Sequence, residues 1–205
     1  MIAVTKNLFG WSKFHAPWKI EFNSYALRTR AGVWVVDPVR PGREDWRALQ
    51  ELGAPVGIFL TNANHDRDAG WLRQQFDVQI YAHEAAPADC DTKIDVLVLD
   101  GETLPGGVKA LHLPGAGAGE TALYAKTDGG TLLLGDVLVN TSGRGPALLP
   151  EQFLEDRDQA IASLHRLRDI TFQVATFAHG APLTKDAKAH ITKLLKQLGK
   201  PKRKP

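Results

Sequence analysis

The sequence predicts an α/β fold, and three observations predict it. Strand-like apolar runs and helical patterns alternate through the first half of the chain. Short strands split by glycine-rich turns fill most of the second half. Two helical patterns then flank one last apolar strand.

Taken in order, residues 18–29 carry Ile20, Phe22, Tyr25 and Leu27 in partial alternation and read as one or two strands. Gly32-Val33-Trp34-Val35-Val36 is a continuous β-branched run that Asp37-Pro38 stops, the pattern of a buried strand. Residues 43–53 place Trp46, Leu49 and Leu52 on one helical face and end at Gly53. A second buried strand is expected over 56–61, a short helix over 67–76 and a third strand over 79–83. This β-α-β-α-β order implies a mostly parallel stretch of sheet. Short strands follow at 95–99, 108–113, 121–126 and 131–134, with Asp100-Gly101 and Asp128-Gly129-Gly130 as turns. A helix over 151–168, a strand over 172–178 and a closing helix over 184–198 complete the layout.

The 205 residues suit one domain, expected over 1–199, with a basic, solvated tail at 200–205. A composition of 43% hydrophobic and 23% charged residues is that of an ordinary globular protein. The net charge of +2 is too small to argue for nucleic acid or acidic lipid, so neither partner is expected. Cys90 is the single cysteine, which excludes an intramolecular disulfide and a Cys-rich metal site. No segment approaches the roughly 20 apolar residues that span a bilayer, and no signal-peptide core is seen, so a cytoplasmic protein is expected.

The run Leu60-Thr61-Asn62-Ala63-Asn64-His65-Asp66-Arg67-Asp68-Ala69-Gly70 is the most informative segment. It resembles the T-H-x-H-x-D-H metal loop of the metallo-β-lactamase superfamily, with Asn62, Asn64 and Arg67 where histidines are expected. Four other segments extend the resemblance in the family's order. They are Val35-Val36-Asp37-Pro38, Leu113-Pro114-Gly115-Ala116-Gly117-Ala118-Gly119-Glu120, Leu133-Leu134-Gly135-Asp136 and Phe177-Ala178-His179-Gly180. In the second of these, Ala116 stands where P-G-H-x-x-G has its histidine. The resemblance implies a four-layer αββα sandwich. It also implies a cleft at Asn62, Asn64, Asp66, Arg67, Ala116, Asp136 and His179, the family's seven ligand positions.

Three of these seven keep the family's residue type: Asp66, Asp136 and His179. The first metal position has lost all its imidazoles, and amide oxygens suit zinc poorly. No dinuclear zinc is therefore expected: the cofactor is none, or one divalent ion (zinc, manganese or iron) at Asp66, Asp136 and His179. Arg67 cannot ligate a metal, because its guanidinium offers donors only. Its fixed charge is expected either to bridge Asp66 and Asp136 in place of the ion or to point to solvent. His65 is an accessory ligand if it turns inward, although the alternation of the loop places residues 64 and 66 inward instead. His112 and His83 lie at strand ends, and His15, His165 and His190 lack ligand spacing.

Two functions compete at this stage. One is a metal-poor or non-catalytic descendant of the hydrolases whose cleft binds a small molecule or a protein partner. The other is a mononuclear hydrolase of an ester, thioester or phosphoester that uses Asp66, Asp136 and His179. A metal-free enzymatic route would make His179 the general base, oriented by Asp66 or Asp136. The sequence does not define the oligomeric state.

Overall fold

The computed structural model describes residues 1–199; the basic segment expected as a tail lies outside the described residues. A seven-stranded sheet runs in sequence order through β1 (Ile2–Ala3), β2 (Leu8–His15), β3 (Ile20–Thr29), β4 (Gly32–Val36), β5 (Pro55–Leu60), β6 (Ile80–His83) and β7 (Val96–Val98). Strands β1 to β4 pair antiparallel, and β4 to β7 pair parallel. The parallel part holds the expected alternation, with α1 (Arg43–Glu51) and α2 (Ala69–Phe76) as crossover helices. The strand β2 has no counterpart in the sequence reading. It pairs along its whole length with β3, so the antiparallel hairpin is a tertiary addition to the parallel core.

The second sheet contains β8 (Thr103–Leu104), β9 (Val108–His112), β10 (Thr121–Ala125) and β11 (Thr131–Leu134). Strand β14 (Val174–Phe177) joins it parallel to β11. A two-stranded ribbon, β12 (Leu138–Val139) and β13 (Ala147–Leu148), lies between them in sequence. The helix expected over 151–168 is broken into a 3₁₀ turn at Glu151–Phe153, the helix α3 (Arg157–Leu164) and a second 3₁₀ segment at His165–Asp169. Asp156 sets the start of α3, since its carboxylate caps the Gln159 N–H at 2.9 Å. The last helix is α4 (Ala187–Leu198).

Burial on both faces explains the continuous apolar runs. In β4, Val33 and Val35 pack outward with Leu49 and Leu72 of α1 and α2, whereas Trp34 and Val36 pack inward. In β11, Leu132 and Leu134 pack outward with Leu164 of α3 and Ile191 and Leu195 of α4, whereas Leu133 packs inward. Strand side chains alternate between faces, so each run serves two cores. Three apolar layers result: helix on sheet, sheet on sheet and sheet on helix. This is the expected αββα sandwich. Gly57 belongs to the inward layer, where a Cβ would lie 2.7 Å from the Trp34 ring and 2.8 Å from the Tyr81 ring.

Candidate functional site

The carboxyl ends of parallel strands leave their following residues at one edge of both sheets, where α/β proteins place ligands. Asp37 follows β4, Thr61 and Asn62 follow β5, Asp136 follows β11, and His179 follows β14. Backbone hydrogen bonds join the two sheets here. Thr121 N–H donates to the Thr61 carbonyl at 2.7 Å, and Asn23 N–H donates to the Ala178 carbonyl at 2.9 Å.

The degraded motif does not run as an alternating loop. Asn62 accepts the Asn64 N–H on its side-chain oxygen at 3.0 Å and starts a 3₁₀ turn over Ala63–His65. In such a turn, side chains three residues apart lie on one side. Asn62 and His65 therefore enter the cleft together, and the His65 side chain is only 2% exposed. Asp66 faces away. Its carboxylate accepts the Arg67 N–H at 2.7 Å and the Asp91 and Thr92 N–H groups at 2.9 Å, which secures the 91–92 loop. Of the expected set Asp66, Asp136 and His179, the structure brings Asp136 and His179 together, with His65 rather than Asp66 beside them. One ligand atom from each of His65, Asp136 and His179 lies within 4.8 Å of the others.

Arg67 also departs from expectation. Among the described residues it makes no ion pair with Asp66 or Asp136. Its Nη1 donates to the Asn23 carbonyl at 3.2 Å and approaches the Asp37 carbonyl at 3.5 Å. The guanidinium carbon sits 4.4 Å from the centre of the Phe22 ring. Arg67 is therefore neither solvent-directed nor a bridge between carboxylates. It fastens the β3 and β4 ends beneath the cleft.

Hydrogen-bond chemistry fixes the tautomer of both histidines. His179 Nδ1 lies 2.8 Å from the Glu21 carbonyl, which can only accept, so Nδ1 carries the hydrogen. Thr61 donates its hydroxyl to Asp37 Oδ2 at 2.6 Å, and its N–H donates to Asp37 Oδ1 at 2.8 Å. The remaining neighbours of His65 Nδ1, Asp37 Oδ2 at 3.0 Å and Thr61 Oγ1 at 2.8 Å, both accept, so this nitrogen also carries hydrogen. Each ring thus turns Nε2 toward Asp136, offering a lone pair there only in its neutral form. The contacts are 3.2 Å to Oδ2 from His65 and 3.2 Å to Oδ1 from His179. Asp136 Oδ1 is buried and receives no hydrogen bond. Two imidazoles in their neutral form and a carboxylate oxygen are a possible donor set for a divalent metal. Carboxylate-backed and carbonyl-backed histidines are the usual support for such ligands. The residues fit a divalent cation.

Asn62 forms a hydrogen-bonded bridge beside Asp136. The Asn62 amide donates to Glu120 Oε2 at 2.8 Å and to Asp136 Oδ2 at 3.2 Å, and Val137 N–H donates to Glu120 Oε1 at 3.0 Å. Burial and the facing Asp136 charge push the Glu120 carboxyl up to about 8. Burial and Arg67 lower the His65 pKa, but the Asp136 and Asp37 charges outweigh them and carry it up to about 9. Burial raises Asp136, yet the two imidazoles hold it well below the usual carboxylate range. Ala116 and Asn64 line the cleft without a ligand atom that converges on Asp136.

Sequence reasoning missed Asp37, Thr61 and Glu120 as site residues. Asp37 had a signal, a carboxylate closing a fully apolar strand. Its backbone lies in the left-handed region at φ 50°, a conformation uncommon outside glycine and found at functional clefts. Glu120 had a weaker signal, a charge directly before the buried strand Thr121–Ala125. His83 and His112 stack at 3.7 Å and do not join the cluster of His65, Asp136 and His179.

Comparison with known proteins agrees with this architecture. A family model described as metallo-beta-lactamase superfamily matches residues 3–198. Similar solved structures include a metallo-beta-lactamase family protein from Thermus thermophilus, at 20% identity and a TM-score of 0.70, covering 95% of this chain and 80% of that one. An archaeal superfamily protein from Sulfolobus tokodaii matches at 14% identity and a TM-score of 0.72, covering 94% and 86%. A third protein, crystallised in a di-iron-bound form, matches at 22% identity and a TM-score of 0.70, covering 88% and 98%. Identities this low speak for a shared fold alone. No curated protein matches the sequence. The family match spans nearly the whole chain and meets the four-layer architecture described above, so this protein belongs to the metallo-β-lactamase superfamily, a fold family of hydrolase type.

Proposed function

We propose that the protein is a mononuclear metal-dependent hydrolase of a carboxylic ester or thioester, with His65, Asp136 and His179 holding the ion. The observation that carries this reading is the convergence of two Nε2 atoms on Asp136, with both Nδ1 hydrogens already committed elsewhere. An ion held there supplies Lewis acidity toward a carbonyl and lowers the pKa of water.

The surrounding side chains each have a distinct part. Asp37 and the Glu21 carbonyl orient the two imidazoles and keep their hydrogens on Nδ1. Asn62 holds Asp136 Oδ2 and, by donating to Glu120 as well, separates two buried carboxylates that would otherwise repel. Glu120 in turn is held by the Val137 N–H at 3.0 Å. Phe22 and Ile20 shield the centre from bulk water on the hairpin side.

Metal analysis of protein purified without a metal-affinity step tests the reading. About one equivalent of zinc, manganese or iron per chain is expected, as four-coordinate sites with three protein ligands hold one ion. His65→Ala and Asp136→Ala should lose it, whereas Asp66→Asn should retain it, because Asp66 serves the 91–92 loop. Retention in His65→Ala with loss in Asp66→Asn would restore the ligand set expected from the motif alone. A non-catalytic binding cleft is the second reading, favoured by the 3.2 Å contacts that already place Asp136 between two imidazoles. It requires that no metal binds even in excess zinc.

A further inference from the structure

We propose that the erased half of the metal site has become an acyl pocket. The cleft then takes an ester or thioester whose acyl group is apolar and carries no phosphate. This rests on the hydrolytic reading and narrows its substrate class.

A cavity of about 510 Å³ opens beside His65, Asp136 and His179, within the size range of small-molecule sites. Ala116 and Asn64, at two of the positions where the family motif has histidines, line it. Small or amide side chains in place of imidazoles leave room next to the reacting centre, while Asn62 stays buried against Glu120 and Asp136. The walls are apolar and come from two separate parts of the chain. The hairpin of β2 and β3 contributes Trp18 and Phe22, and the ribbon and 3₁₀ turn after β11 contribute Val139, Leu149 and Phe153. Trp18 is 70% exposed and Phe153 62% exposed, so two large apolar side chains stand in water at this cavity. A ligand tail that covers them removes that surface from water.

Charge decides against the phosphoester alternative. Arg67 is the only lysine or arginine among the described residues that line the cavity. Its Nη1 is held by the Asn23 and Asp37 carbonyls, and its guanidinium carbon lies 4.4 Å from the Phe22 ring centre. With Nη1 committed and Nε buried, no bidentate arginine fork is left for a phosphate. An uncharged carbonyl with an apolar tail needs no such fork.

Straight-chain methyl ketones test the pocket, since they carry a carbonyl and cannot be hydrolysed. Binding of 2-butanone, 2-hexanone and 2-octanone is measured by calorimetry on the metal-loaded protein and on chelator-treated protein. Affinity should rise by up to about fourfold per methylene, the value for full burial. Ala116→Leu should fill the pocket and weaken 2-octanone at least about fivefold. Phe153→Ala, at an exposed position that leaves the core intact, should flatten the chain-length trend. A flat trend in the wild-type protein, or phenyl phosphate binding more tightly than 2-octanone, overturns the proposal. Turnover of 4-nitrophenyl acetate and octanoate separates it from the hydrolytic reading. A rising ketone series without metal-dependent turnover leaves the apolar pocket standing and removes the hydrolase. Metal-dependent turnover with a flat ketone series does the reverse.

Discussion

His65 and Asp66 are neighbours in the chain with opposite fates in the fold. The 3₁₀ turn that Asn62 caps rotates His65 into the cleft and leaves Asp66 to bind two backbone N–H groups of the 91–92 loop. Residue spacing alone favours Asp66, because it presumes an alternating loop where a turn of three residues per revolution exists. Gly135 illustrates how tightly the same site is packed. A Cβ there would lie 2.6 Å from Thr61 Oγ1 and 2.7 Å from Glu120 Oε1. Neither partner is free to yield, since Thr61 holds Asp37 and Glu120 holds Asn62 and Val137. Gly135→Ala should therefore lower stability by about 1–3 kcal/mol in urea unfolding, the usual cost of overpacking. It should also weaken metal binding by displacing the support of His65. Unchanged unfolding and metal affinity would mean that the cleft edge yields readily.

At the level of elements, the strand ends carry a second pair of histidines with a measurable consequence. His83 at the end of β6 and His112 at the end of β9 stack at 3.7 Å and 18°. Burial, and then the neighbouring His83 charge, push His112 down to about 4, against the pull of Asp100. His83 is also lowered by burial, although Glu84 and Asp100 oppose it. An unfolded histidine titrates near 6.5. Between about pH 6.5 and pH 4 the unfolded chain thus binds more protons at this site, and stability falls as pH falls. His112→Phe keeps a ring against His83 and removes the titration. Its acid-side loss of thermal stability should be shallower than that of the wild-type protein, and a parallel profile would remove the pair as the cause. The helices show the same dependence on context. The apolar pattern over 151–168 was legible, but Asp156 caps a new start within it and splits the segment.

For the whole molecule, the two sheets come together at the edge where the chain builds its site. Any ion bound at His65, Asp136 and His179 ties β5 in one sheet to β11 and β14 in the other. Binding should then stabilise the entire fold by mass action, by about 2.7 kcal/mol at a hundredfold excess of ion over Kd. In a domain of this size that is a rise of roughly 5–11 °C in Tm, absent in Asp136→Ala. No shift with zinc, manganese or iron would favour the metal-free cleft. The sequence by itself determined the alternating order of strands and helices, because residues buried on two faces must be apolar without interruption. It also determined that no imidazole stands at positions 62, 64 and 116, since Ala116 and the two asparagines have none in any conformation. Only the tertiary structure decided which residues meet. Glu120 and Asn62 are 58 residues apart, and Arg67 reaches the carbonyl of Asn23 across 44. Local spacing cannot encode such contacts; they arise where strand ends from two sheets converge and every buried polar atom must find a partner.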